Sequence, residues 1–249
     1  MIQLKTNDEI QVMSEGGAKL GRVKAALAEA VKVGVSAAEI DKLAFSLIEK
    51  EGAEVSFTKV PGYRWATCVT VNEGLVHGIP TKDVIFKKGD VVSVDVGVYH
   101  RGFHTDTSIT VGLEVTPETQ KFLNVGKNAL EKAIAKAKPG NHIMDISGAI
   151  EETVEKAGYT TIKALVGHGV GRELHEEPQI PCFVLGKVEE SPKIVPGMVL
   201  AIEVMYAMGK DAVILMPDGW TIAMGDGKIS ALFEETVAIT EAGPKVLTL

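Results

Sequence analysis

The chain has 249 residues, 45% of them hydrophobic, with 33 acidic and 26 basic residues and a formal net charge of −7. That length suits one large domain or two tightly joined halves, and the interspersed charges leave no basic face for nucleic acid. No run of about 18 apolar residues occurs, MIQLKTNDEI lacks a signal-peptide pattern, and two scattered cysteines do not make a disulfide scaffold, so a cytoplasmic protein without a membrane partner is expected.

The first elements read as amphipathic helices. Gly34 is followed by Glu39-Ile40 and then by Gly52 in EKEGA, which predicts a helix closed by a C-terminal glycine. VPGYRWATC reads as a loop entering a strand, and NEGLVHGIP carries His77. Residues 91 to 112, VVSVDVGVYHRGFHTDTSITVG, predict two alternating strands, Val91 to Tyr99 and about His104 to Val111, joined at His100-Arg101-Gly102. With the turn centred between His100 and Arg101, Asp95 falls directly opposite Asp106. Ser93, Asp95 and Gly97 then share a face with Asp106, Ser108 and Thr110, while Val92, Val94, Val96, Val98, Ile109 and Val111 take the other. Facing carboxylates have Cβ atoms about 4.5–5.5 Å apart and destabilise a sheet unless something compensates them.

The order then repeats. Gly140, Asp145-Ile146 and Gly158 in EKAGY reproduce the first spacing, and GHGVGRELHEEP holds His168 and His175. IVPGMVLAIE places Glu203 six residues after Gly197, as KKGDVVSVD places Asp95 six after Gly89, and EETVAI from Glu234 matches DTSITV from Asp106. These matches predict one domain over 1–249 made of duplicated halves, about 8–112 and 116–240, and an α+β fold rather than a doubly wound sheet. Packed about a pseudo-twofold axis, the halves bring four carboxylates together, which requires protons or cations.

Carboxylates with one imidazole suit divalent Mn, Fe, Co or Zn. Gly167, Gly169, Gly171 and Pro178 argue against the helical HExxH arrangement, and these glycines also fail the GxGxxG spacing. In extended chain the separation of His168 and His175 points them to opposite faces, so one metal ligand and one substrate-contacting residue are expected. His100, His104 and His142 read as structural, Cys68 and Cys182 as ordinary buried cysteines, and Tyr63 and Trp220, on the residues alone, as core packing.

VNEGLVHGIP, VDVGVYHRGFHTDTS, GHGVGRELHEEP, GMVLAIEVM and SALFEETVAIT, in that order, resemble the type I methionine aminopeptidases in their short bacterial form, from about Asp8 to Thr240. The resemblance implies the pita-bread fold, two pseudo-symmetric helix–helix–hairpin halves around a central antiparallel sheet. It implies removal of the initiator methionine from nascent proteins whose second residue is small. Two divalent metal ions (Co, Mn, Fe or Zn) would be bound by Asp95, Asp106, His168, Glu203 and Glu234, with Asp106 and Glu234 bridging. Glu203 would also act as general base, and His77 and His175 would contact the substrate and stabilise the tetrahedral intermediate. Tyr63, Cys68 and Trp220 would line an apolar methionine pocket. Strand parity and the family's spacing both favour Glu234 over its neighbour Glu235. The implied partners are nascent polypeptide N-termini, near the ribosome, and a monomer is expected.

Leu174, Pro61, Val204 and Thr105 depart from residues usual in the family, and Leu174 and Pro61 bear on the shape of the pocket. The competing readings are an X-Pro peptidase of the same fold and a non-catalytic pita-bread binding protein, which would be expected to have lost ligands.

Overall fold

The helices start where local capping dictates. Thr6 accepts the Glu9 N–H through its hydroxyl at 3.3 Å while Glu9 reaches back to the Thr6 N–H at 2.9 Å, a reciprocal cap that opens the first helix. The computed structural model describes all of residues 1–249. Helices α1 (Asn7–Ala30) and α2 (Ala37–Lys50) precede strands β1 (Glu54–Val55), β2 (Thr67–Val71), β3 (Gly74–Val76), β4 (Val91–His100) and β5 (Phe103–Gly112). Helices α3 (Pro117–Lys136) and α4 (Ile143–Lys156) then precede β6 (Thr160–Thr161), β7 (Val166–Gly169), β8 (Glu176–Pro181), β9 (Val199–Ala207), β10 (Val213–Leu215), β11 (Ile222–Met224), β12 (Ser230–Thr240) and β13 (Gly243–Val246). Glu39 and Asp145 occupy the same place in their helices: each accepts its capping residue's N–H at 2.8 Å, from Ser36 and from His142. Gly52 and Gly158, at φ +64° and +86°, end α2 and α4 in the left-handed region that disfavours any side chain.

A ten-stranded antiparallel sheet runs β1-β4-β5-β12-β9-β7-β8, with β2, β6 and β13 paired off that path. Its helix-facing side carries two apolar layers. Leu20, Leu27, Ile40 and Ile48 pack with Val92, Val94, Val96 and Val98, and Phe122, Ile146 and Ile150 pack with Leu200, Ile202, Val204, Val237 and Ile239. The opposite side carries the acids, because side chains alternate along each strand.

The first hairpin keeps the expected parity and changes the register. Asp95 pairs with Ser108 and Asp106 with Gly97, so the two aspartates are diagonal neighbours on one face rather than directly opposite. The cause is the turn. Arg101 (φ +50°) and Gly102 (φ +95°) are its two central residues, both left-handed, which is the two-residue turn whose twist matches the strands. The turn therefore lies one residue later than expected, the strands extend to His100 and begin at Phe103, and every pair shifts by two.

The second acidic ribbon is not a tight hairpin. Between β9 and β12 the chain leaves the sheet over residues 208–229 and forms β10 and β11, and β11 also pairs with β3, giving a separate three-stranded sheet β10-β11-β3. Here the register puts Glu203 directly opposite Glu234. The two ribbons meet at β5 and β12, where a single ladder pair, Ser108 with Glu234, is supplemented by threonine hydroxyls. Thr236 Oγ1 accepts from the Asp106 N–H at 2.9 Å and donates to the Asp106 carbonyl at 2.7 Å, and Thr107 Oγ1 donates to the Glu234 carbonyl at 2.7 Å. Each half thus uses one threonine to hold the acid-bearing residue of the other.

Asp41, buried on α2, anchors the entry to β2. One carboxylate oxygen accepts the Ala66 N–H at 2.8 Å, the Thr67 N–H at 3.0 Å and the Thr67 hydroxyl at 3.0 Å. Burial raises its carboxyl against the pull of these donors. Asp41→Ala strands them, and is expected to cost about 2–3 kcal/mol, read by urea unfolding. A loss within about 0.5 kcal/mol, the range of an ordinary surface substitution, would show that the anchor is dispensable.

Candidate metal centre

Asp95 on β4, Asp106 on β5, Glu203 on β9 and Glu234 on β12 lie on the side of the sheet away from the helices, and His168 joins them from β7, the strand next to β9. Asp106, His168 and Glu234 each offer a ligand atom, all within 4.8 Å of one another and all buried. Nε2 of His168 is 3.5 Å from the Glu203 carboxylate. Its Nδ1 lies 2.8 Å from the Gly169 carbonyl, which only accepts, so Nδ1 carries the proton and Nε2 turns its lone pair toward the acids. Burial, then the facing His175, pushes the His168 imidazole down to about 3, so it is neutral near pH 7.

The four carboxylates are short of positive charge. No lysine or arginine pairs with any of them, and Asp95 Oδ1 and Glu234 Oε1 are buried without a hydrogen-bond partner. Their carboxyls are all raised: Asp95 by burial, Asp106 and Glu203 by burial and then by Asp95, Glu234 by burial and then by Asp106. Orphaned acceptors of one sign around a neutral imidazole are the donor set of a hard or borderline divalent cation. The residues fit such an ion.

Glu235 stands apart. It lies on the helix side of β12, where Lys24 pairs with its carboxylate at 2.5 Å and the Thr248 hydroxyl donates to it at 2.5 Å. Strand parity separates the two adjacent glutamates, and only Glu234 reaches Asp106 and His168.

The expected separation of His168 and His175 is corrected. Their rings are 4.5 Å apart at 70°, because the chain between them is not extended. Strands β7 and β8 form an antiparallel pair, Gly169 with Glu176, and the loop at 170–175 folds back so that His175, the residue just before β8, lies beside His168. His77 reaches the same space from β3. Its backbone is left-handed (φ +57°), an uncommon conformation for a non-glycine residue, and Gly78 then passes so close to the Val69 carbonyl that a Cβ would sit 2.1 Å from it.

Beside the acids is a cavity of about 120 Å³ lined by Phe57, Val60, Tyr63, Cys68, Leu174 and Trp220, with His77, His175, Asp95 and Asp106 also on its wall. Tyr63 stacks edge-on against Trp220, with centroids 5.1 Å apart, and donates its hydroxyl to the Thr67 carbonyl at 2.8 Å. Cys68 pairs across the sheet with Asp95, so the apolar wall and the acids share one face of adjacent strands. The cavity matches one unbranched side chain, well below the size of a drug-like site. A groove of about 420 Å³, lined by residues including Lys24, Phe233 and Glu235, lies on the helix side and holds none of the four acids. Chemistry, not volume, distinguishes the two.

Tyr63, Cys68 and Trp220 are among the lining residues as expected, Val60 opens the VPGYRWATC loop that rims the pocket, and Leu174 lies on its wall, where it bears on the shape; Phe57 is the apolar lining residue that no sequence feature marked. Cys68 and Cys182 are free and buried. His104 is buried, with Nδ1 2.7 Å from Ser56 Oγ, and His142 caps α4.

The model of Metallopeptidase family M24 matches residues 11–241. A methionine aminopeptidase of Clostridium perfringens is 41% identical over 250 residues, covering 100% of this chain and 99% of that protein. The crystal structure of methionine aminopeptidase from Thermotoga maritima superposes with a TM-score of 0.96 at 40% identity, covering 100% of this chain and 99% of the other. An X-Pro aminopeptidase, also from Thermotoga maritima, gives 0.76 at 24% identity; it shares the fold, and this chain covers 62% of its length.

Proposed function

The chain belongs to metallopeptidase family M24, and we propose that it removes the N-terminal methionine of nascent polypeptides whose second residue is small. The fold is the pita-bread fold of these enzymes. The carrying observation is the juxtaposition of a buried acid cluster lacking any cationic side chain with an apolar cavity sized for one side chain. The chain is a single catalytic unit of two similar halves, about 8–112 and 116–240, that meet where β5 joins β12.

Asp95, Asp106, His168, Glu203 and Glu234 would hold two divalent ions, of Co, Mn, Fe or Zn, with Asp106 and Glu234 shared. When bound, such ions polarise a scissile carbonyl and make a nucleophile available at neutral pH. The chain's own side chains do the remaining work. Glu203 faces the centre from β9, opposite Glu234 and 3.5 Å from His168 Nε2, and would take a proton and return it to the leaving amine. His77 and His175 stand on the cavity wall outside the ligand set and donate hydrogen bonds to the substrate carbonyl as it becomes tetrahedral. Tyr63, Cys68 and Trp220, with Phe57, Val60 and Leu174, enclose the methionine side chain, whose thioether gains from aromatic edges.

Metal-loaded protein is expected to release methionine from Met-Ala-Ser and to leave an Ala-Pro peptide intact. Cleavage of Ala-Pro with Met-Ala-Ser untouched would transfer the chain to the X-Pro peptidases, and cleavage of neither would favour a binding role.

A further inference from the structure

Lys5 and Glu176 form an ion pair that none of the chemistry above uses. Their side chains are almost wholly buried, 1% and 2% exposed, and Glu176 directly follows His175. The Glu176 carboxylate has two partners. Lys5 Nζ donates to Oε2, and the Glu173 N–H donates to Oε1 at 3.2 Å, so one carboxylate both closes residues 173–176 into a turn and ties that turn to the N-terminal segment. Lys5 is itself fixed: its N–H donates to the Gly197 carbonyl at 2.7 Å, just before β9, and its Nζ to the Gln3 carbonyl at 3.1 Å. Gly171 packs against both, and a Cβ there would lie 2.3 Å from Lys5 Cε and 2.9 Å from Glu176 Oε1.

Leu174 is buried in the apolar cluster with Phe57, Tyr63 and Cys68, and the loop has few other restraints. From Gly171 to His175, the one main-chain bond to another segment is the His104 N–H to the Gly171 carbonyl, at 2.7 Å. Arg172 pairs with Glu9 at the surface, Glu173 is exposed, and His175 opens to solvent. A buried charge pair is a weak source of net stability, because desolvation offsets the attraction. What it supplies here is direction.

We propose that the Lys5–Glu176 pair is the positioning device for His175, holding the turn at 171–176 so that the imidazole faces His168 and the mouth of the cavity. The inference rests on the substrate-facing role of His175 given above. Lys5 and Glu176 touch no reacting atom and act through His175 alone.

The test is a double-mutant cycle against His175→Ala, using metal-loaded protein and Met-Ala-Ser. The combined Lys5→Met/Glu176→Met substitution leaves no orphan charge, so the fold is retained; Gly171→Ala wedges the pair apart without altering either member. Each is expected to lower kcat/KM about 10- to 100-fold, with metal content unchanged and no further loss in the His175→Ala background. In 15N spectra the His175 ring should change from one sharp set of signals to an exchange-broadened set. Equal losses in both backgrounds would overturn the inference and leave the role of His175 standing. A fully active His175→Ala protein would remove that role, and the inference with it.

Discussion

Replacing Asp106 with alanine is expected to abolish peptide hydrolysis and to lower the metal content of the protein together. Asp106 is 5% exposed and sits within 4.8 Å, ligand atom to ligand atom, of both His168 and Glu234. Its main chain is fixed by Thr236 on both sides, so the backbone cannot drift to let another side chain substitute. In the proposed assignment it is shared by both ions, so its removal should cost more than the roughly 10²–10³-fold that follows loss of one stabilising donor. Rate and metal stoichiometry must fall together. A variant that keeps full metal content would contradict the shared-ligand assignment even if it were inactive.

The second large effect separates proton transfer from metal binding. Glu203→Gln keeps an oxygen, the shape and the place opposite Glu234 but removes the basic carboxylate. Activity on Met-Ala-Ser is expected to fall about 10²–10⁴-fold, the range for a general acid–base group. Metal content should fall little, since Asp106, His168 and Glu234 remain. Atomic absorption alongside turnover distinguishes the two variants. Near-normal turnover in Glu203→Gln would assign the proton to another group.

Much of this arrangement is legible in the chain. Period-two alternation sorts Asp95, Asp106 and Glu234 onto one face and Glu235 onto the other, because parity survives any even shift in register. Glu39 and Asp145, visible only as repeat markers, prove to be capping residues at matching places in α2 and α4. The register itself was not legible: it depends on Arg101 and Gly102 both adopting positive φ, and an arginine advertises no such preference. The approach of His168 to His175 depends on a six-residue loop reversing the chain, which a spacing argument made in extended chain misses. Thr107, Thr236 and Lys5 were invisible for another reason. Their partners are 127, 130 and 171 residues away, so no local pattern marks them.

The central claim is electrostatic, and pH tests it without any substrate. Asp106, Glu203 and Glu234 have carboxyls raised in the fold above their unfolded values. A raised carboxyl contributes stability that is complete below its unfolded pKa and is lost as pH rises through the folded value. The buried histidines work in the opposite sense: His168 and His104 are depressed, so their penalty is felt as pH falls through about 6.5 and is absent above it. Above the histidine range, as between about pH 7 and 8.5, the raised acids favour the lower pH, and Lys5, lowered by burial, opposes them.

The direct measurement is the melting temperature of chelator-treated protein at those two pH values, with and without saturating Mn²⁺. Metal-free protein is expected to melt lower at the higher pH, and Mn²⁺ to raise the melt at both, by more at the higher pH. Equal melting at the two pH values, together with no response to Mn²⁺, would contradict a divalent ion among these acids.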